Sequence, residues 1–246
     1  MRTPEAGDLV KAADLTGADF AEADLSDAVF SDCDLSGASL GGTVLAGARF
    51  QRCRLIACRL AHVDAREARF EDCVFTRPED HTGCETAFSR LEGATFLRCD
   101  LGFASFERSD LHDVAFEDCN LRGARFVRCD FRRRLGRSHS PAKARFTRCN
   151  LHLADLAGAE LPGCEVSACR LLEAEISGAN LEGADLRGSE LFAANLAGAR
   201  LAGADLRGAE ISGLDLTQLA SREGLIIAPG QQHLLLAAMG VDVRLD

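Results

Sequence analysis

From Leu15 to Leu216 a large apolar residue returns at every fifth position of this chain. The column runs from Leu15 through Phe20 and Leu25 to Phe75, resumes at Leu91 as far as Phe131, and resumes again at Phe146 as far as Leu216. Of these 37 positions 36 hold Leu, Phe, Ile or Val, and Ala65 is the lapse. A second column, two residues earlier, holds small residues from Ala13, Ala18 and Ala23 to Ala209, with only Leu214 larger than valine. Neither the helical period of 3.6 nor the strand period of 2 accommodates a strict period of five. A chain that turns a corner every five residues does. Four such sides close a square coil of about twenty residues, and coils stack at the strand spacing of roughly 4.8 Å. The large residue of each side fills the tube, and the small one faces inward where a bulky group would collide with its neighbours.

Segments such as Ala184-Asp185-Leu186-Arg187-Gly188 and Ala204-Asp205-Leu206-Arg207-Gly208 carry this unit, and on them the chain resembles the pentapeptide-repeat family. The resemblance implies an all-β fold, a right-handed quadrilateral parallel β-helix, with two projecting loops and a C-terminal helix added by the departures described below. The expected organisation is a polar lead-in at 1–11, a β-helix over 12–218 and a C-terminal module over 219–246. No apolar run is long enough to span a membrane and no signal pattern opens the sequence, so a soluble, cytosolic chain is expected.

Ten of the eleven cysteines occupy the small inward column, and Cys84 alone falls in an interruption. They read as small buried apolar residues. Twenty-residue spacing would stack Cys53 on Cys73, and Cys129 on Cys149 on Cys169, but no zinc-type ligand spacing accompanies them, so no metal or cofactor is expected. By the same spacing Phe30, Phe50 and Phe70 should stack, as should Phe106, Phe126 and Phe146, and Phe96 with Phe116. Glycine gathers at the corner position of the C-terminal half, from Gly158 to Gly213, where the earlier coils carry Asp32, Arg52 or Arg98. Sharper, more regular corners are therefore expected in that half.

Two segments break the repeat and should leave the coil as surface loops. The first, 76–87, begins Thr76, Arg77, Pro78, Glu79, Asp80 and His81. The second, 132–143, reads Arg132, Arg133, Arg134, Leu135, Gly136, Arg137, Ser138, His139, Ser140, Pro141, Ala142 and Lys143, and the coil is expected to close without it. These are the candidate partner-binding loops. After Leu216 the repeat stops. Pro229 can open a helix and Gly240 close it. Leu234, Leu235, Leu236 and Met239, followed by Val241, Val243 and Leu245 as a short strand, exceed what one tube end needs to be plugged. Pairing of two chains through this module, a homodimer, is expected.

These departures resemble the Qnr branch of the family, in Gly83-Cys84, Phe88-Ser89-Arg90 and Cys99-Asp100-Leu101 after the first loop, and in Leu225-Ile226-Ile227, Gln231-Gln232-His233-Leu234-Leu235 and Met239-Gly240-Val241 at the C-terminus. The resemblance implies a protein that binds bacterial type II topoisomerases, DNA gyrase and topoisomerase IV, and protects them from fluoroquinolones.

Charge divides the chain into three, with net −7 over residues 1–40, +3 over 41–143 and −6 over 144–246. Arg108, Arg128 and Arg148 fall twenty apart and should form a basic stripe beside the second loop. Asp155, Glu175 and Asp215 should form one acidic ladder, and Glu165, Asp185 and Asp205 another. Such ladders either imitate DNA phosphates, as proposed for loopless MfpA-type relatives, or solubilise an apolar tube. A net acidic rod without aromatics among its arginines points to a protein partner rather than direct DNA contact. The six histidines lack nucleophile or carboxylate partners at a known spacing, and a solid tube offers no substrate pocket, so an enzyme is not expected.

Overall fold

The computed structural model describes residues 3–77, 79, 81–135 and 138–242, with the side chains of 133–135 and 138–140 outside that description. The chain winds into a square parallel solenoid. Its first wall is a sheet of eight short strands, Leu9–Lys11, Val29–Ser31, Arg49–Gln51, Arg69–Glu71, Thr95–Leu97, Val114–Glu117, Ala144–Thr147 and Glu165–Ser167, each pairing in parallel with the next. The other walls are held by single bridges repeated coil after coil, such as Asp14↔Asp34↔Arg54 and Asp155↔Glu175↔Asn195. The sheet begins at Leu9, so the expected lead-in 1–11 supplies the first rung of this wall.

The inward columns build the core. Phe30, Phe50, Phe70, Phe96, Phe116 and Phe146 stack along the first wall, with successive ring centroids 4.8–5.1 Å apart. Dispersion between offset rings and removal of their faces from water stabilise this column. Phe106 stacks on Phe126, as expected, but Phe146 meets Phe126 edge-on and lies over Phe116 instead. The cysteines shift in the same way. Cys149 donates its thiol to Phe116 O, and Cys169 donates to Phe146 O, so Cys149 continues the column of Cys33, Cys53, Cys73, Cys99 and Cys119, and Cys129 stands on another wall. Burial pushes the Cys58 and Cys164 thiols up to about 11, and Cys84 and Cys129 up to about 12, which keeps them protonated and poor nucleophiles.

Register explains the shift. Neighbouring coils pair residues twenty apart, but Arg69 pairs with Thr95 and Ala115 with Arg145. These offsets of 26 and 30 mean that six extra residues sit between Phe75 and the next side, and ten between Phe131 and Phe146. Ten residues are two whole sides, so the second excursion preserves the five-residue phase while moving every later residue two walls round.

Corner geometry differs from the expectation in one respect. Asp32, Arg52, Asp72, Arg98, Asp118 and Arg148 adopt left-handed φ of 51–57°, close to the 64–72° of Gly158 to Gly208. Glycine is therefore not what sets the turn, since the stacked coil imposes it on any residue. Regularity does increase towards the C-terminus, where every side from Leu171 to Ile211 closes with an amide bond three residues on, as in Ala174 N to Leu171 O.

At the C-terminal end a 3-10 turn, Pro229–Gln231, leads into a short helix, Gln232–Ala238. Gln231 is buried and its amide donates to Leu206 O and Ala209 O, while its carbonyl accepts from Ala228 N. It supplies a donor to Ala209 O, which no further coil reaches, and adds a second donor to Leu206 O, which also accepts from Ala209 N. Gly240 follows with φ +79°, the usual left-handed end of a helix.

Candidate functional site

The first expected loop, 76–87, divides. Glu85–Ala87 is a strand paired in parallel with Ser105–Glu107, and Cys84 and Thr86 point into the core. Thr86 thus fills a large inward position that the sequence pattern does not reveal, because a threonine there looks like loop. Thr76 is also buried, its hydroxyl donating to Thr82 O. The true excursion is Arg77 to Thr82, closed by the antiparallel bridge between those two residues. Its exposed members include Arg77, Glu79 and His81. Pro78 and Asp80 lie outside the described residues. The His81 ring sits 4.7 Å from the Phe103 ring, which holds the excursion against the next coil. Gly83 follows with no room for a side chain, since a Cβ would enter the Phe103–Ala104 peptide.

The second excursion is a β-hairpin. Arg132–Leu135 pairs antiparallel with Ser138–Ala142, with Ser138 opposite Leu135, His139 opposite Arg134 and Ala142 opposite Arg132. Gly136 and Arg137 lie outside the described residues, as do the side chains of Arg133, Arg134, Leu135, Ser138, His139 and Ser140. The root is fastened to the coil. Lys143 Nζ lies 2.7 Å from Asp113, Arg132 lies 3.9 Å from both Asp130 and Glu160, and Ala142 is buried. Removing 132–143, expected to leave the coil intact, would take Arg132 and Lys143 with it. The ten-residue offset marks 133–142 as the separable part.

The expected basic stripe does not include Arg148. Because the hairpin moves later residues two walls round, Arg148 stands over Asp118, with Nε 2.7 Å from its carboxylate and Nη2 2.5 Å from Glu117. It ends a charge-alternating corner, Asp32, Arg52, Asp72, Arg98, Asp118, Arg148, in which Arg52 pairs with Asp32 and Arg98 with Asp72 and Glu71. These arginines hold the carboxyls of Asp32, Asp72 and Asp118 below the usual range. Arg108 and Arg128 remain neighbours on another corner. The Arg108 guanidinium lies 5.5 Å over the Phe88 ring, which stacks on His62. Together with Arg90 and Arg132 they line an open groove of about 540 Å³ whose acidic members are Glu92, Asp110 and Asp130. Burial raises the Asp110 carboxyl, and Glu92 and Asp130 add to the shift.

The acidic ladders are aligned by register, Asp155 to Glu175 on one wall and Glu165 to Asp185 to Asp205 on another, but they differ in charge. Arg187 pairs with Asp185, and Arg207 with Asp205, so the second ladder is largely neutralised. Asp155 accepts from Ala157 N, and Glu175 from Ser177 N and Asn195. Asp215 caps a 3-10 turn, Leu216–Gln218, beyond the regular ladder.

In the C-terminal module Leu235 is buried and plugs the tube, with Leu234 packed partly against the same core. Leu235 is therefore unavailable for pairing two chains. Leu236, Met239, Val241 and Ile226 are exposed. Val241 is not in a strand, and Val243 and Leu245 lie outside the described residues. Among the described residues no helix is long and apolar enough to cross a membrane.

The family pattern of pentapeptide repeats, in eight copies, matches residues 13–52, 109–133, 143–188 and 189–218, more than half of the chain. The chain belongs to the pentapeptide-repeat family. The pattern lapses over 53–108, the stretch that holds Ala65, the six-residue excursion and Thr86. Among solved structures, a trypsin-treated variant of QnrB1, a plasmid-mediated fluoroquinolone resistance protein, is 25% identical with a TM-score of 0.67, over 96% of this chain and 99% of that one. Full-length QnrB1 is likewise 25% identical, TM-score 0.65, over 97% and 100%. HetL, a pentapeptide repeat protein involved in heterocyst differentiation regulation from the cyanobacterium Nostoc sp. Strain PCC 7120, is 24% identical with a TM-score of 0.67, over 89% of each chain, which shows the shared fold. No curated protein sequence matches the chain. These similarities support a pentapeptide-repeat protein of the Qnr type.

Proposed function

We propose that this pentapeptide-repeat protein binds a bacterial type II topoisomerase, DNA gyrase or topoisomerase IV, and protects it from a fluoroquinolone or a natural poison. The observation that supports this most is the pair of excursions. Six and ten residues leave an otherwise unbroken coil and return in register, in a chain similar to QnrB1 along nearly its whole length. A solenoid gains nothing in stability from such insertions, so a partner gives them a use. The loops engage the enzyme near the poisoned cleavage complex and disfavour that state, and the drug leaves. Binding shifts this equilibrium only by the difference in affinity for the poisoned and free states. The partner is protein, the chain acts without a cofactor or catalysis of its own, and it works in the cytoplasm as a homodimer paired through Leu236, Met239 and Val241.

A supercoiling assay with purified gyrase, ciprofloxacin and this protein tests the reading, with the 133–142 deletion beside it. Rescue by the full chain and none by the deletion is expected. No rescue with gyrase or topoisomerase IV would favour a rigid adaptor for another protein. A third reading, gyrase inhibition by DNA mimicry, requires a continuous acidic face, and the pairing of Asp185 and Asp205 with Arg187 and Arg207 speaks against it.

A further inference from the structure

One corner of the rod carries large apolar side chains where glycine or a charge usually stands. Phe103 and Leu153 occupy corner positions with left-handed φ of 57° and 59°. A bulky residue in that region costs about 1 kcal/mol or more relative to glycine. Leu153 is 44% exposed, so burial does not offset that cost. On the adjoining column Leu172 is half-buried and Phe192 is 55% exposed.

These residues are contiguous. Phe103 N donates to Arg122 O, Gly123 N to His152 O, Leu153 N to Leu172 O, and Glu173 N to Phe192 O, so each rung rests on the next. The strip starts at the first excursion, where His81 packs on Phe103 and the Arg122 guanidinium lies 5.5 Å over the same ring. Phe103 then spreads along Gly123, whose missing side chain leaves room for it. The remaining rungs carry Leu153, Leu172 and Phe192, for a length of roughly 19 Å at strand spacing.

One margin is acidic beside Leu153 and Leu172. Asp155 and Glu175 run along one side, and among the described residues neither is in an ion pair. The other side is mixed, carrying Asp100, Asn120, Asn150, Arg170 and Glu190, with Arg170 and Glu190 paired at 3.3 Å, and Glu210 lies one coil beyond Phe192. An apolar strip flanked by Asp155 and Glu175 disfavours phosphate and anionic lipid on that side and fits a segment with the reverse pattern.

We infer that the corner strip Phe103–Leu153–Leu172–Phe192 continues the first loop as a docking track for an amphipathic, basic segment of the protein partner. This rests on the proposal that the partner is a type II topoisomerase, whose surface supplies apolar side chains for the strip and Lys or Arg for the Asp155–Glu175 margin. The first loop then marks one end of a longer footprint.

The test measures binding of the full-length chain to purified gyrase and topoisomerase IV by surface-immobilised titration. It compares wild type, Leu153→Glu/Phe192→Glu, Asp155→Lys/Glu175→Lys, and Leu9→Glu as an exposed control at the far end. Both double variants should bind about tenfold or more weakly, with Leu9→Glu unchanged and thermal midpoints equal. If wild type binds neither enzyme, the topoisomerase reading and the track fall together. If wild type binds and either double variant binds as tightly, the track alone is overturned. A change in sedimentation of Leu153→Glu/Phe192→Glu would give the strip to a second copy of this chain and would also overturn the inference.

Discussion

The Phe146 ring lies stacked on the Phe116 ring, centroids 5.1 Å apart and planes 18° apart, across the ten-residue hairpin. Phe116 also stacks on Phe96 and meets Phe106 and Phe126 edge-on, and no part of it reaches solvent. It is the point where the aromatic columns of two walls interlock just before the second excursion. Phe116→Ala should therefore lose about 3 to 5 kcal/mol of unfolding free energy, the range for deleting a buried ring from a core that cannot collapse. Urea unfolding followed by far-UV circular dichroism measures this. A loss below about 1 kcal/mol would mean that the column does not carry the stability of the middle coils.

Ala65 and Thr86 are the undersized members of the inward columns, and both line a cavity of about 20 Å³ together with Leu45, Leu91, Phe70 and Phe96. A void this size forfeits dispersion contacts on all its walls. Ala65→Val fills part of it with apolar volume between Leu45 and Leu91 and should stabilise the protein by about 1 kcal/mol. The measurement is the urea midpoint at constant slope. A lowered midpoint would show that the backbone has already closed on Ala65.

The period of five made the square coil, the inward columns and the Phe30–Phe50–Phe70 and Phe96–Phe116 stacks legible, because each depends only on spacing. What it could not reveal followed from the excursions. A ten-residue insertion keeps phase, so spacing alone aligns Arg148 with Arg128 and Phe146 with Phe126, and only the coil-to-coil register shows that both turn to another wall. The six-residue insertion hid Thr86, since a polar residue at a large position does not announce itself as core. A count of sides per coil across each loop could have found both. The Phe-x-x-Cys motif recurs on the first wall at Phe30–Cys33, Phe50–Cys53, Phe70–Cys73, Phe96–Cys99, Phe116–Cys119 and Phe146–Cys149, but Phe126–Cys129 carries it on another wall, so the motif alone does not supply that count.

The alternating corner predicts an acid transition. The carboxyls of Asp32, Asp72 and Asp118 are lowered by their arginines from the ordinary value of 3.8. A lowered folded-state pKa contributes stability above the ordinary value, and that contribution is lost as pH falls through the folded one. The thermal midpoint should hold from pH 7 to about 5 and fall below about 4, less steeply in high salt because these pairs are exposed. Asp110 works in the opposite sense. Its raised carboxyl is penalised when charged, so Asp110→Asn, which keeps the acceptor for His112 N, should raise the midpoint at pH 7 and give no gain at pH 3. A midpoint that rises on acidification from pH 5 to 3 would contradict a stabilising role for the alternating corner.

Gln231 joins the C-terminal module to the last coil through two 2.8 Å bonds to Leu206 O and Ala209 O. Gln231→Leu leaves Ala209 O buried without a donor, at about 1 to 3 kcal/mol for a lost buried partner, while Leu206 O keeps its bond from Ala209 N. The loss should be local. Amide exchange over 226–238 should accelerate while the Phe96–Phe146 coils keep their protection. Uniform acceleration along the rod would mean that the plug governs the whole fold.

The excursions can be removed without disturbing the coil only in whole units. Deleting 133–142 joins Arg132 to Lys143 and leaves Phe131-Arg132-Lys143-Ala144-Arg145-Phe146, one complete side with a large residue, a corner, a small residue and the next large residue in sequence. Lys143 keeps its place beside Asp113, and Phe146 falls five residues after Phe131. Deleting 77–82 restores the first break in the same way, with Gly83 at the corner and Cys84 and Thr86 facing inward. Both deletions should keep the wild-type circular dichroism and a thermal midpoint within about 5 °C, since among the described residues Ala142 is the one core residue they remove. The 133–142 deletion should lose protection of gyrase. Deleting 132–143 instead brings Phe146 to the third residue after Phe131, out of phase, so every later side chain would face the wrong way and the product should be insoluble. Equal solubility of the ten- and twelve-residue deletions would show that phase does not control this fold.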